Sequence, residues 1–350
     1  MRFLGLTASA FALSTVVLAP VGTADAADRA NPVEEAVTTL VADSGYPAAV
    51  AYYRDGDRVE HYAAGLADVR AGTPARPDQR WRIASNTKSF TAVVVLQLAG
   101  EGRLSLDAPV SYPGLPPVTP RQLLGHTSGI HDPADATLFA PYFAGNRAYV
   151  YTPDEVIRLA LRKPPSAPGR FEYSNTGYLV LGKVIEQVTG HDVRDEIARR
   201  ILRPLGLRHT SFPLTSPYLT GPHLHGYGLD GVDWTTLSPS YDWTAGAMVS
   251  TVDDLAAFHR ALFAGRLLRP DQQKDLVPQG QGVEKLTVDC PAGPLTVWGN
   301  TGAGPGYFSL SMTDGRRQLT LVTTKFDIKA EAEGRDPLPP TASPLPAAFC

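Results

Sequence analysis

Strand-like runs near both ends of this 350-residue chain, with a helical middle between them, constrain its fold most strongly. The runs in residues 48–68 meet at Asp55-Gly56, which is a hairpin signal. Three more runs lie in residues 295–324, joined by a glycine-rich segment and a tight turn. Residues 103–260 are mostly helical in pattern. This order predicts an α+β fold with an antiparallel sheet built from the N- and C-terminal segments, flanked by helices, and an inserted helical region.

The first 26 residues have the layout of a secretory signal peptide. Arg2 precedes an apolar run to Leu18, and Ala24-Asp25-Ala26 is a typical cleavage site. A membrane anchor is the alternative, but the apolar stretch is short and a proline follows it. We therefore expect cleavage after Ala26, a secreted protein, and no membrane span after cleavage.

Two further segments follow the signal. Residues 27–326 are predicted to form one domain, because 43% of the chain is hydrophobic and can bury a large core. Residues 327–350 form a proline-rich tail that cannot be a regular helix. Cys290 and Cys350 are the two cysteines. In an exported chain they are expected to form one disulfide that pins this tail, and two free thiols are the alternative.

Charge and motif content exclude several classes of function. The net charge is −3, and no basic run offers a nucleic acid a binding surface. His223 and His225 form a His-x-His pair, but no third zinc ligand can be placed, so we expect an ordinary polar loop and no metal. The glycine-rich residues 302–306 do not open a helix, which argues against phosphate binding there. No cofactor is expected.

Three short stretches carry groups suited to acyl transfer. Ser85 and Lys88 stand at the start of an apolar helix, where positions i and i+3 share a face. A neutral lysine amine can take the proton of a serine, and the free N–H groups of the helix start can hold an oxyanion. The plain alternative is a helix N-terminus that carries one basic residue.

The second and third stretches add polar groups at loop and strand ends. Tyr173 offers a phenol and Asn175 an amide, just before another helix. Asn300-Thr301-Gly302 ends a strand in the last third of the chain. A buried tyrosine on a helix-start loop is the alternative interpretation of the second stretch.

Taken together, Ser-x-x-Lys, Tyr-x-Asn and x-Thr-Gly resemble the motifs of the serine penicillin-recognising hydrolases. The branch with the greatest similarity comprises secreted D-alanyl-D-alanine carboxypeptidases and class C β-lactamases, with their esterase and D-aminopeptidase relatives. Residues 122–130, 243–258 and 299–307 are also similar, and the resemblance covers about residues 32–326.

The resemblance implies a role for each matching residue. Ser85 is the nucleophile that forms an acyl-enzyme, Lys88 assists proton removal, and Tyr173 is the general acid/base. Asn175 orients the substrate amide, and the backbone N–H groups of Ser85 and Ala303 form the oxyanion hole. The remaining substrate-binding candidates are Asn300, Thr301, Gly302 and Trp243.

Two positions depart from the family pattern. The third motif usually begins with Lys or His, but here it begins with the uncharged Asn300. A basic residue for a substrate carboxylate is expected a few positions before Cys290, where this chain has Glu284 beside Lys285. Asn300 is therefore expected to weaken the preference for substrates that end in a carboxylate.

The sequence thus predicts an exported, monomeric serine hydrolase, most like a D-alanyl-D-alanine carboxypeptidase. An esterase or broad amidase, or a β-lactamase, is the first alternative. A degenerate protein that binds a peptide or penicillin without turnover is the second. The expected substrates are a small peptide, a β-lactam or an ester, with the peptidoglycan stem peptide as one candidate.

Overall fold

The computed structural model describes residues 31–133, 135–339 and 343–350. Within these residues the strands are β1 (Ala48–Asp55), β2 (Arg58–Asp68), β3 (Thr73–Pro74), β4 (Trp81–Arg82), β5 (Val249–Ser250), β6 (Glu284–Cys290), β7 (Gly293–Gly304), β8 (Tyr307–Thr313) and β9 (Arg317–Thr323). The predicted signal peptide lies outside the described residues.

The helices fall between and after these strands. They are α1 (Pro32–Ala42), α2 (Thr87–Gly100), α3 (Pro120–Leu124), α4 (Asp135–Leu138), α5 (Ala140–Phe143), α6 (Pro153–Ala160), α7 (Asn175–Thr189), α8 (Val193–Ile197), α9 (Arg203–Leu205), α10 (Trp243–Gly246), α11 (Val252–Phe263), α12 (Pro270–Gln279), α13 (Ile328–Ala332) and α14 (Leu345–Phe349). In the described part of the chain, no helix is both long and apolar enough to cross a membrane.

One antiparallel sheet has the strand order β3-β2-β1-β9-β8-β7-β6. The two ends of the chain meet where β1 pairs with β9, with Val50 opposite Val322. The predicted α+β fold, with a sheet built from both terminal segments, is therefore confirmed. The inserted region is less helical than predicted, because residues 207–238 contain only turns and isolated bridges.

Alternation along β1 directs side chains to two cores. Val50 and Tyr52 face a core that includes α2 and α11, where the Phe90 and Phe258 rings stack with centroids 3.6 Å apart. Ala49 and Ala51 face a second core on the opposite side of the sheet. Because each face is covered by helices, β1 is apolar over most of its length rather than on one face alone.

The C-terminal segment belongs to this second core. Phe349 of α14 is 1% exposed and packs in one cluster with Val33 and Val37 of α1. The compact unit runs from Pro32 to Cys350 and includes the proline-rich segment predicted from residue 327 onward. The prolines restrict this segment to the short helices α13 and α14.

The Cys290–Cys350 disulfide is present and joins the end of β6 to the last residue of the chain. The bridge closes a loop with a sequence separation of 60 residues. Restricting the unfolded chain over such a loop contributes up to about 4 kcal/mol to the free energy of unfolding.

We expect the double variant Cys290→Ala/Cys350→Ala to unfold at a Tm several degrees below that of the oxidised protein. Thermal unfolding followed by circular dichroism measures this shift. Dithiothreitol should lower the Tm of the wild type and leave that of the double variant unchanged. An unchanged Tm in the double variant would show that packing of Phe349 alone holds the segment.

Candidate active site

Ser85 lies in a short 3-10 turn, Ala84–Asn86, that leads directly into α2. Ala84 has a φ of 44°, a left-handed conformation that is strained for a residue with a Cβ. The Asn86 amide holds the turn by donating to the Ile83 carbonyl and to Ser309 Oγ. The strained backbone at Ala84 thus places the Ser85 hydroxyl at the start of a helix.

Lys88 is 3% exposed and points at this hydroxyl. Its Nζ donates to Ser85 Oγ over 2.9 Å, to Asn175 Oδ1 over 2.7 Å and to the Ala245 carbonyl over 3.0 Å. The i, i+3 spacing therefore produces the predicted contact. The other two acceptors fix the amine where it can exchange a proton with Ser85.

Tyr173 also reaches Ser85, from a loop rather than a helix, and Lys88 Nζ lies 4.9 Å from the centroid of its ring. Its hydroxyl donates to Ser85 Oγ over 2.7 Å, and the residue is 43% exposed. The His126 ring stacks on the Tyr173 ring at 4.4 Å, and its Nδ1 accepts the Ser174 N–H. Burial, followed by the nearby Lys88 charge, lowers the pKa of His126 to about 3. His126 is therefore a neutral support for the phenol.

Asp132 organises the Tyr173-Ser174-Asn175 loop. Its carboxylate accepts hydrogen bonds from the backbone N–H groups of Asn175 and Thr176 and from the hydroxyls of Ser174 and Thr176. These donors include free N–H groups in the first turn of α7, where a negative charge is favourable. Asp132 thus holds Tyr173 and Asn175 in register with Ser85.

The third motif lies on β7 beside the nucleophile. Only glycine fits at position 302, because a Cβ there would lie 2.2 Å from the Ile83 carbonyl oxygen. This close approach lets Ala303 line the same cavity as Ser85. Asn300 is buried and donates to Ser89 Oγ over 2.7 Å and to the Gly282 carbonyl over 3.2 Å. Its amide therefore ties β7 to α2.

Glu284 is the acidic residue that faces this centre. The Thr301 hydroxyl lies 2.9 Å from each of its carboxylate oxygens. Burial raises the pKa of Glu284, while the Thr301 hydrogen bonds and the charge of Lys88 oppose that shift. The position where a base was expected for a substrate carboxylate thus holds a carboxylate of the protein.

Two cavities meet at Ser85, and Tyr173 and Glu284 line both of them. The acidic cavity, of about 250 Å³, is defined by the carboxyl-bearing residues Asp132, Asp242, Glu284 and Glu331. The aromatic cavity, of about 450 Å³, is defined by Phe171, His126, Tyr173 and Tyr178. A substrate bond placed over Ser85 Oγ can therefore extend one group into each cavity.

Asp242 lies deep in the acidic cavity. Its carboxylate makes no hydrogen bond or ion pair with the residues that the structure describes. Burial raises the pKa of Asp242 to about 6, although the charge of Lys88 acts in the opposite direction. The carboxylate is therefore charged above about pH 6, and a cation entering the cavity would meet it directly.

Trp243 and the His223/His225 pair lie outside this centre. Trp243 is 6% exposed and packs on Gly182 of α7, so it lies in the core instead of lining either cavity. His225 pairs with Asp233, and His223 contacts the Gly221 carbonyl. Over the described ranges, no group of three or more His, Cys, Asp or Glu side chains is arranged to hold a metal ion.

The arrangement supports nucleophilic attack by Ser85 on a carbonyl carbon. Ser85 Oγ lies within hydrogen-bond distance of both Lys88 Nζ and the Tyr173 hydroxyl, so its proton can pass to either. The two groups thus contact the same oxygen. The sequence motifs did not predict that Asp132, Asp242 and Glu331 line this site, because none of these residues belongs to a short catalytic pattern.

Two solved structures share this fold over most of their length. A family model described as Beta-lactamase matches residues 33–330. The D-stereospecific amidohydrolase from Streptomyces sp. superposes with a TM-score of 0.79 at 33% identity, covering 91% of this chain and 98% of that one. The D-amino acid amidase from Ochrobactrum anthropi SV3, in complex with L-phenylalanine, gives a TM-score of 0.73 at 25% identity over 86% and 93% of the two chains.

Among curated sequences, Protein flp of Staphylococcus aureus (strain NCTC 8325 / PS 47) is 33% identical over 240 residues. The match covers 65% of this chain and 46% of that protein. The chain therefore spans about half the length of this relative, and the two share the matched region only.

Proposed function

The chain is a serine hydrolase of the Beta-lactamase family, and from this premise we propose that it is an amidohydrolase for D-amino acid amides and short D-peptides without a free carboxylate beside the scissile bond. The observation that carries this proposal is Glu284, whose carboxylate lines both cavities at Ser85. The D-configuration is supported by the two structural neighbours, a D-stereospecific amidohydrolase and a D-amino acid amidase.

Glu284 disfavours a substrate carboxylate on the leaving group. An arginine at such a position would contribute about 1.5–3 kcal/mol to carboxylate binding, or roughly ten- to a hundredfold. Glu284 instead repels a carboxylate, and the neutral Asn300 adds no compensating charge. Lys285 also lines the aromatic cavity, but its side chain is exposed, so solvent screens its charge more than that of the half-buried Glu284. Amides and esters do not incur this repulsion, so the site favours them over peptides that end in a free acid.

The acidic cavity supports recognition of an amine on the acyl group. Asp242 has no hydrogen-bonding or ion-pair partner in the described chain, and no lysine or arginine is among the described residues that line this cavity. A free α-ammonium group would supply the missing positive charge. Leu138, Phe139 and Ile328 add an apolar wall that suits a hydrophobic side chain.

The chemistry follows from the contacts at Ser85. Its hydroxyl attacks the amide carbonyl carbon, and the coupled Lys88–Tyr173 pair takes the proton. The backbone N–H groups of Ser85 and Ala303 stabilise the oxyanion. The C–N bond then breaks as Tyr173 returns a proton to the departing amine, leaving an acyl ester on Ser85. Water attacks that ester by the reverse proton path and releases the acid.

Wild-type protein should hydrolyse a D-alanyl-D-alanine peptide amide with a kcat/KM at least tenfold above that for the peptide with a free C-terminal carboxylate. D-Phenylalanine amide should be cleaved and its L-enantiomer should not, and N-acetylation of the amine should raise KM. The rate of product release, monitored by chromatography, gives kcat/KM for all of these substrates under one set of conditions.

A charge reversal at Glu284 tests whether repulsion by its carboxylate causes the preference for amides. Glu284→Arg should raise kcat/KM for the carboxylate substrate and lower the amide-to-carboxylate ratio of kcat/KM to about one or below, because repulsion becomes attraction. Asp289→Arg makes the same charge change at an exposed position of the same strand and should keep the wild-type ratio. A wild-type preference for the free carboxylate would instead support the carboxypeptidase prediction.

Export is part of the same proposal and has its own test. Residues 1–26 carry the predicted signal peptide, so the mature protein should begin at Ala27. N-terminal sequencing of protein recovered from the culture medium checks this start. Retention of the full N-terminus in the cell would contradict it.

A further inference from the structure

Four arginines surround a cavity that is separate from the centre at Ser85. The cavity has a volume of about 380 Å³ and lies between the end of β1, the β8–β9 turn and the carboxyl end of α11. We call it the arginine cavity, and its basic residues are Arg54, Arg260, Arg266 and Arg316. None of its lining residues lines the acidic or the aromatic cavity.

Few protein groups neutralise these guanidinium groups. Arg316 pairs with Asp55 over 2.9 Å, and Arg260 donates to the neutral Tyr52 hydroxyl over 3.0 Å. Arg54 and Arg266 make no side-chain hydrogen bond or ion pair with the described residues. No aspartate or glutamate is among the residues that line the cavity.

The arginine cavity keeps a large net positive charge. Arg260 lies in the last turn of α11, and the carboxyl end of a helix supplies about half a negative charge. Together with Asp55, this offsets roughly one and a half of the four positive charges. A surplus of about two and a half charges remains in one concavity, in a chain whose net charge is −3. A concave, like-charged surface concentrates the field on an ion of opposite sign.

Guanidinium groups are matched to oxyanions by shape as well as charge. Each presents a planar fork of donors that can bind two oxygens of one phosphate group. Gln318 and Thr313 line the same cavity, but their side-chain donors are already bonded to the Ala256 and Arg317 carbonyls. The arginines are therefore the donors left for a ligand, with Phe263 as an apolar wall.

We propose that the arginine cavity binds a phosphate group, either as the free ion or as the terminal phosphate of a small organic molecule. The free Arg54 and Arg266 forks bind its oxygens, and Arg260 and Arg316 add charge. The site acts independently of hydrolysis at Ser85.

Isothermal titration of the full protein with inorganic phosphate, and separately with glucose 6-phosphate, tests this inference. One binding site is expected, with an affinity that weakens as sodium chloride is raised. Arg54→Gln/Arg266→Gln should raise the Kd at least tenfold and leave kcat/KM for an amide substrate unchanged. Tighter binding of glucose 6-phosphate identifies an organic phosphate as the ligand, and equal or weaker binding identifies the free ion.

The matched control is Arg70→Gln/Arg208→Gln, which removes the same charge from two exposed arginines elsewhere. It should bind phosphate as the wild type does. Arg266→Glu, a single change at an exposed position beyond α11, gives a second measurement if the double variant is unstable, and it should also weaken binding at least tenfold. Equal losses in test and control variants would mean an adventitious ion only, and no measurable binding by the wild type would overturn the proposal.

Discussion

The Ser85→Ala variant is expected to lose hydrolysis of amides and esters by about 10⁴-fold or more, because the oxygen positioned for attack is removed. Lys88 and Tyr173 both direct hydrogen bonds at that oxygen, over 2.9 and 2.7 Å. Neither contact holds the fold together, since Tyr173 is exposed and Lys88 keeps two other acceptors. The variant should therefore fold normally and still bind substrate.

Intact-mass analysis after treatment with a fluorophosphonate, and separately with a penicillin, tests the same assignment. The wild type should gain the mass of a covalent adduct, and Ser85→Ala should not. Peptide mapping of the wild type should locate the fluorophosphonate on Ser85. Ser89→Ala is the matched control, since Ser89 lies one turn along α2 and its hydroxyl donates to the Gly282 carbonyl instead. Labelling of another serine, or retained turnover in Ser85→Ala, would refute the assignment of the nucleophile.

Tyr173→Phe is expected to lower kcat by roughly 10²–10⁴-fold with little change in KM, which is the usual contribution of a positioned acid/base. The substitution removes only the hydroxyl that contacts Ser85. The ring can still stack on His126, so the loop should keep its conformation. Because an amide nitrogen needs a proton to depart and a nitrophenolate does not, amides should lose more activity than p-nitrophenyl esters.

The comparison of amide and ester turnover separates catalysis from structural damage. Tyr142→Phe is the control. The Tyr142 hydroxyl also donates one hydrogen bond, but to the Tyr149 carbonyl, and Tyr142 lines neither cavity at Ser85. It should lower stability slightly and leave kcat unchanged. If Tyr173→Phe slowed both substrate classes equally, Tyr173 would act by position and Lys88 would carry the proton.

The Ser85–Lys88 contact was predictable because it is local. Helix geometry alone brings positions i and i+3 together, and the structure gives 2.9 Å between Ser85 Oγ and Lys88 Nζ. The sheet was predictable for a related reason, since strand-like runs at both ends of the chain, joined by short turns, have few other ways to pair. The Cys290–Cys350 bridge required only that two cysteines be oxidised.

Tyr173 was placed by its resemblance to a motif, and its contact with Ser85 spans 88 positions in the chain. Spacing could not predict that contact. It depends on Asp132 holding the first turn of α7 and on His126 supporting the ring. Both are supporting groups whose role arises only when α7 packs beside α2.

The sequence by itself therefore determined the fold class and the contact between Ser85 and Lys88, because local periodicity and short spacings encode them. Only the tertiary structure decided which charges face the substrate. Glu284 reaches Ser85 because β6 pairs with β7, with Glu284 opposite Gly299. Glu331 lines the acidic cavity because the C-terminal segment folds back onto the domain. Such placements depend on long-range strand pairing and packing, which no short stretch of sequence contains.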